Sequence, residues 1–203
     1  MSSLMDSIIS KMLEGGVELA RHFLKENGYE NFTIAKWKQA QQHPDLPDIF
    51  GYSVLLEKLL FTGVGDFVVH QLNYSSLDSK LYFDVSFPRL EFSIGKGEAE
   101  LNFLGAKSSG KAKGQFTIFE LRILGEAIFD ISDDFDFKLR SVSNLQFKVK
   151  AIKTKRVNVK INNIDYSKTV ETFLMKTVPE FIKSNETVIN ENLAKILYQA
   201  VHS

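Results

Sequence analysis

The stretch from Ser167 to Val201 limits most strongly what this chain can fold into. It carries Val170, Phe173, Leu174, Val178, Phe181, Ile182, Val188, Ile189, Leu193, Ile196 and Leu197 at spacings of three and four, which line one side of a helix. Thr177, Val178, Pro179 and Glu180 have the form of a capping box with proline in the first turn, so a restart or kink is expected there. From Val178 to Val201 such a helix runs roughly 36 Å at about 1.5 Å per residue. A rod of that length needs an apolar partner equally long. The preceding chain supplies one, an alternating, phenylalanine-rich β run.

That run begins after a first helix, expected from Leu4 to Lys25, in which Ile8, Met12, Leu19, Ala20, Phe23 and Leu24 recur at helical spacing. Gly15 and Gly16 weaken its middle, and Asn27-Gly28 ends it. Between Tyr29 and Gly51 the pattern fades, and Pro44 and Pro47 predict an irregular connection with a short helix near Trp37. From Tyr52 the period becomes two. A hairpin is expected around Ser75 to Ser79, followed by Leu81, Phe83, Val85 and Phe87 on odd positions. At Pro88 the apolar set moves to Leu90, Phe92 and Ile94. Such a one-residue slip at a proline predicts a bulge that bends the strand while one face stays inward. Ala99, Leu101 and Phe103 resume the alternation after Gly95, Lys96 and Gly97. Phe116 and Ile118, then Phe119, Leu121 and Ile123, repeat the device before Gly125, and Phe135, Phe137, Leu139, Leu145, Phe147, Val149, Val157, Val159 and Ile161 complete the series. The predicted fold class is α+β: a strongly curved antiparallel sheet wrapped around a long C-terminal helix, with an additional N-terminal helix.

Composition narrows the function. Of 203 residues 44% are hydrophobic and 25% charged, ordinary for one globular domain over residues 1–203. Twenty-five basic residues balance twenty-five acidic ones, so no net field recruits nucleic acid. Cysteine is absent, which excludes disulfides, thiolate metal sites and cysteine catalysis. Charge interrupts every apolar run well short of a membrane span. Asp6, Lys11 and Glu14 rule out a signal peptide at this N-terminus. The chain is then either cytosolic or a mature form that begins with an added methionine. Sequons at Asn31, Asn73 and Asn185 lean towards secretion, although a glycan on Asn185 would conflict with helix packing.

The residues from Gly105 to Ala112 match a phosphate-binding loop except at the last position, where alanine replaces the magnesium-binding hydroxyl. That motif needs a helix after it, and Gln115 onwards reads as strand, so a glycine-rich hairpin tip is expected. His22, His43, His70 and His202 show no metal spacing, and Asp130, Asp133, Asp134 and Asp136 read as a solvated turn. No nucleophile elbow or catalytic carboxylate pair stands out, so no enzyme, cofactor or metal is expected. Lys148, Lys150, Lys153, Lys155, Arg156 and Lys160 predict a basic hairpin, read as edge lysines or as a docking patch for a membrane or receptor. Seventeen phenylalanines remain, placed as a plain core or as the lining of an apolar cavity.

The run from Leu59 through Phe61 and Gly63 to Phe67, and then from Leu81 to Leu90, resembles the insect juvenile-hormone-binding and takeout family. So do the breaks at Gly97 and Gly125 and the closing helix from Val188 to Leu193. In its lack of cysteine and its helical N-terminus the chain looks closer to the group-seven mite allergens. The resemblance implies half of the double-barrel fold of bactericidal permeability-increasing proteins. It also implies a secreted carrier of a small hydrophobic ligand such as a terpenoid or fatty acyl compound, with larger bacterial lipids also open to it; a monomer is expected. The N-terminal cysteine pair of the hormone-binding branch is missing here. The helix-facing residues expected to hold the ligand are Phe83, Val85, Phe87, Leu90, Phe92, Phe119, Leu121, Phe137, Leu139, Phe173, Leu174 and Phe181.

Overall fold

A computed structural model of the chain describes residues 2–28, 30–42, 50–131 and 137–202. Helix α1 spans Ser2–Glu26 without a break at Gly15 and Gly16. It stops where Gly28 takes φ +67 and its N–H bonds the Lys25 carbonyl, a left-handed position that glycine fills without strain. Strands β1 (Asn31–Gln42), β2 (Phe50–Thr62), β3 (Val68–Ser75), β4 (Lys80–Phe103), β5 (Ala106–Ile131), β6 (Phe137–Ile161) and β7 (Ile164–Asp165) form one antiparallel sheet in the order β1-β2-β4-β5-β6-β7, with β3 also paired to β4. The C-terminal part is α2 (Ser167–Thr172), a π-helical turn (Phe173–Thr177), α3 (Val178–Ser184) and α4 (Glu186–His202).

Two expectations about local structure are corrected first. The region around Trp37 is strand, because β1 pairs with β2 along its whole length, Trp37 opposite Leu56. Tertiary pairing overrides the weak local pattern. The restart at Thr177 is not a capping box, since Thr177 is itself helical and its side chain caps nothing. The π-turn inserts an extra residue and Pro179 follows in the first turn of α3, so the rod bends without breaking. A sharper interruption lies at Asn185, where α3 ends with φ −116 and the Asn185 amide donates to the Phe181 carbonyl at 2.9 Å.

The strands from β4 to β6 are very long because they turn corners without losing their partners. At the first corner Phe87 stays opposite Leu121 and Val149, and Arg89 opposite Phe119 and Ala151. Pro88, Glu120 and Lys150 between them are exposed and unpaired in the ladder, and Glu120 takes φ +47. Pro88 therefore sits where no N–H is needed. The expected register slip does not occur. All three strands change face together, so the shift of apolar parity leaves the pairing unchanged. At the second corner Lys58 (φ +55) lies opposite Gly95, a bulge at Gly95-Lys96 faces Lys113, and another at Arg156-Val157 faces Gly114. Bulge geometry turns two consecutive residues to the convex side and the next one inward, preserving one apolar concave face. A third irregularity joins Gly125 to Asn144, and Asn144, Lys150 and Arg156 recur six residues apart in β6. That repeat rolls the sheet.

β4 shares one edge between β2, along 91–103, and β3, along 80–86. The chain crosses that gap through Gly63, which has φ +94 and where a Cβ would stand 2.0 Å from the Arg89 carbonyl oxygen.

The helices border the trough on two sides. α1 rests on β3, with Ile9 buried and Asp6 accepting from the Ser76 N–H at 2.8 Å. The C-terminal helices rest on β6, where Asn190 accepts from the Phe147 N–H at 2.9 Å. Neither closes the trough. The accessible surface is 13859 Å², against about 9,700 Å² for a compact monomer of this mass.

Candidate functional site

The concave face is built in registered rows. Phe32, Phe61, Phe92, Phe116 and Thr154 stand side by side across β1, β2, β4, β5 and β6. Phe61 and Phe92 stack at 4.2 Å between ring centroids, Phe92 and Phe116 at 4.7 Å, and Met175 from the π-turn reaches Thr154 at 3.5 Å. Offset stacks of this kind add about 0.5–1.5 kcal/mol per pair beyond area burial. One row further, the buried Leu90 and Ile152 flank a half-buried Ile118. Beyond the first corner the face continues through Phe87, Leu121 and Val149, then Val85, Ile123 and Phe147, then Phe83, Gly125 and Leu145. Gly125 lets the Phe83 ring lie over it, because a Cβ there would sit 3.1 Å from Phe83 Cζ.

In the other direction the floor thins. Trp37, Leu56, Gly97, Ala112 and Val159 form one row, and Gln39, Val54, Ala99, Gly110 and Ile161 the next. Small residues at the centre and larger ones at the sides make a groove. It ends in a polar trio, where the Gln39 amide donates to the Tyr52 hydroxyl at 3.0 Å and that hydroxyl donates to Gln41 Oε1 at 3.4 Å. A cavity of about 690 Å³ opens there among Gln41, Tyr52, Leu101 and Ser108.

Both helix systems present apolar stripes to open space. In α1 these are Ile8, Met12, Leu19 and Phe23. In the C-terminal helices they are Phe173, Phe181, Val188 and Ile196, all more than half exposed. Leu174, Val178, Ile182, Ile189 and Leu193 are half-buried by contrast. Pro179 and Ile182 stand over Phe147 and Val149 across a cavity of about 430 Å³.

The twelve residues expected to hold a ligand are thus dispersed. Phe83, Val85, Phe87, Leu90, Phe92 and Leu121 share the concave face. Leu139 is buried in β6, Leu174 is half-buried, and Phe173 and Phe181 are more than half exposed. The Phe137 side chain lies outside the described residues. Phe119 does not face the helices. It lies on the convex side, with the Arg89 guanidinium 6.0 Å and the Lys153 ammonium 5.3 Å from its ring centroid. The corner at Glu120 is the reason, since residues 119 and 120 both turn outward there. Phe61, Phe116, Ile118 and Ile152, which complete the concave rows, were not among the expected twelve.

The convex face carries paired polar groups near the first corner. Arg122 Nε donates to Asp84 Oδ1 at 2.7 Å and its Nη2 bonds the other oxygen, while His70 Nε2 lies 2.7 Å from Ser86 Oγ. The Arg122 hydrogen bonds hold the Asp84 carboxyl below its ordinary range, against the opposing effect of burial. A carboxyl lowered in the folded state stabilises the fold above its unfolded value and loses that contribution as pH falls through its folded value. Stability is therefore expected to decline on acidification below about pH 4. An Asp84→Asn variant should show a shallower decline in urea titrations than the parent, and an identical decline would remove Asp84 from this account. Among the described residues no cluster of His, Asp and Glu could hold a metal ion. Gly105 belongs to a tight Leu104-Gly105 turn, and Ala106 onward is strand, so the phosphate-loop reading fails on context. The acidic turn around Asp133 lies outside the described residues.

The class of protein defined here is a curled antiparallel sheet whose apolar concave face is bordered by amphipathic helices. The chain belongs to the family described as Haemolymph juvenile hormone binding protein (JHBP), whose family model matches residues 16–203. Among solved structures it is similar to the crystal structure of Epiphyas postvittana Takeout 1, at 12% identity and a TM-score of 0.43, over 82% of this chain and 75% of that one. It is also similar to a crystal structure of lipopolysaccharide binding protein, at 11% identity and a TM-score of 0.27, over 91% of this chain and 39% of that one. The chain thus spans well under half the length of the latter protein. No curated protein matches it.

Proposed function

We propose that the chain is a non-enzymatic carrier, acting as one monomeric domain, which holds a small, elongated hydrophobic ligand such as a terpenoid or fatty acyl compound along its concave face. The observation that carries this reading is the continuous apolar surface formed by the Phe61–Phe92–Phe116 ladder and the neighbouring rows, with further exposed apolar side chains on both helix systems. A monomer leaves so much contiguous apolar surface open only where something is meant to cover it. Removing roughly 300 Å² of ligand surface from water at about 25 cal/mol per Å² offers several kcal/mol before entropic losses. The polar trio at Gln39, Tyr52 and Gln41 gives one end of the groove hydrogen-bonding capacity for an uncharged head group. The family description names the haemolymph and juvenile hormone, which supports secretion and a terpenoid among the candidate ligands.

Mass spectrometry of an organic extract of the purified protein, followed by titration of the emptied protein with Nile red, tests the reading. A stoichiometric apolar compound and saturable dye uptake are expected. An empty extract together with no saturable uptake would contradict it.

A further inference from the structure

The second corner of the sheet does more than bend it. Bulges turn consecutive residues outward on neighbouring strands, and most of those residues are cationic: Lys58 on β2, Lys96 on β4, Lys113 on β5, and Lys155 with Arg156 on β6. All five are exposed. Lys96 pairs with Glu98 at 3.0 Å and with Glu57 at 4.0 Å, whereas Lys58, Lys113, Lys155 and Arg156 have no acidic partner among the described residues. Beside the ridge, Lys111 and Lys160 stand opposite each other, flanked in the same row by Glu98 and Asp165. The expected basic hairpin is in fact one strand: β6 carries eight of the chain's 25 basic residues and no acid, in a chain whose net charge is zero. Of those eight, Lys155 and Arg156 stand with Lys58, Lys96 and Lys113 on the outside of this bend, the part of a curved body that meets a flat surface first.

We infer that this convex ridge docks the protein on an anionic phospholipid membrane. Flexible lysines on a convex edge suit a plane of phosphate and carboxylate groups, and basic residues near such a surface contribute additively. The ridge lies on the opposite face from the apolar trough, so docking leaves the concave face unobstructed. The inference goes beyond the carrier reading. It also supplies that reading with a place where an apolar guest is collected or delivered.

Flotation with vesicles tests it. The protein should bind vesicles of phosphatidylcholine containing about 30% phosphatidylserine and not vesicles of phosphatidylcholine alone, and should dissociate between about 50 mM and about 300 mM salt. The triple variant Lys113→Gln, Lys155→Gln, Arg156→Gln should bind the anionic vesicles roughly a hundredfold more weakly, at about fivefold per residue. A second triple variant, Lys25→Gln, Lys168→Gln, Lys195→Gln, changes net charge equally on the helices and should bind nearly as the parent does. Both should keep the parent circular dichroism and Nile red uptake, which separates loss of docking from loss of the carrier property. Equal weakening in the two triple variants, equal binding to neutral vesicles, or no binding by the parent would overturn the inference.

Discussion

Replacing Phe92 by aspartate is expected to reduce Nile red uptake at least about tenfold, whereas Phe119→Asp leaves uptake near the parent value. Both residues are phenylalanines of the alternating run, and both face the helix in a reading of sequence alone. The structure separates them. Phe92 is the middle ring of a stack, 4.2 Å from Phe61 and 4.7 Å from Phe116, on the face that the guest would cover. A carboxylate there meets two aromatic faces and has no cation beside it on the concave rows. Losing the ring and leaving a charge poorly solvated should also cost about 3 kcal/mol of stability. Phe119 lies between Arg89 and Lys153, so an aspartate at that position exchanges two cation–π contacts for two possible ion pairs. Its stability should change by less than about 1 kcal/mol. Dye titration and urea unfolding of the two variants decide the matter, and equal loss of uptake in both would contradict the assignment of faces.

The Gly63→Ala variant is expected to lose at least about 2 kcal/mol, lowering Tm by about 4–8 °C for a chain of this size. Two independent costs add at this position. The backbone takes φ +94, where a side chain is strained, and the new Cβ would stand 2.0 Å from the Arg89 carbonyl oxygen. The contact is with backbone, so no rotamer change relieves it. Either the β2–β3 connection or the first corner must move, and both set the width of the trough. Gly15→Ala, by contrast, adds a methyl within α1 with nothing near it and should stabilise slightly. A thermal melt in which Gly63→Ala matches the parent would show that the connection is not held against β4.

How much of this was legible beforehand follows from the physics of each element. The period-two alternation with breaks at Pro88, Gly95 and Gly125 is a direct imprint of a curled sheet, because one face must stay apolar through every corner. The closing helix shows itself by its apolar spacing. Trp37 was misread because β1 is mostly exposed and gains its structure from pairing with β2, a non-local effect absent from its own residues. Phe119 was misassigned because Pro88 signals the corner in β4, while in β5 the same corner falls on Glu120, an ordinary residue in an unusual conformation. The Phe61–Phe92–Phe116 ladder needed the register of three strands. It appears once the strands are paired antiparallel, with Phe61 opposite Phe92 and Phe92 opposite Phe116. The cationic ridge was visible as composition, but its gathering on one convex bend depends on bulges that only the fold displays.

The trough and the ridge divide the molecule by chemistry, one face for an apolar guest and the other for an anionic plane. The concave assignment is tested most directly by loading the protein with a diazirine-bearing fatty acid, irradiating it, and locating the attached residues by peptide mass spectrometry. Attachment concentrated at Phe61, Phe92, Phe116 and the exposed stripes at Phe173 and Phe181 is the predicted result. Attachment spread over convex positions such as Phe119 and Arg122, with the concave rows unlabelled, would contradict it.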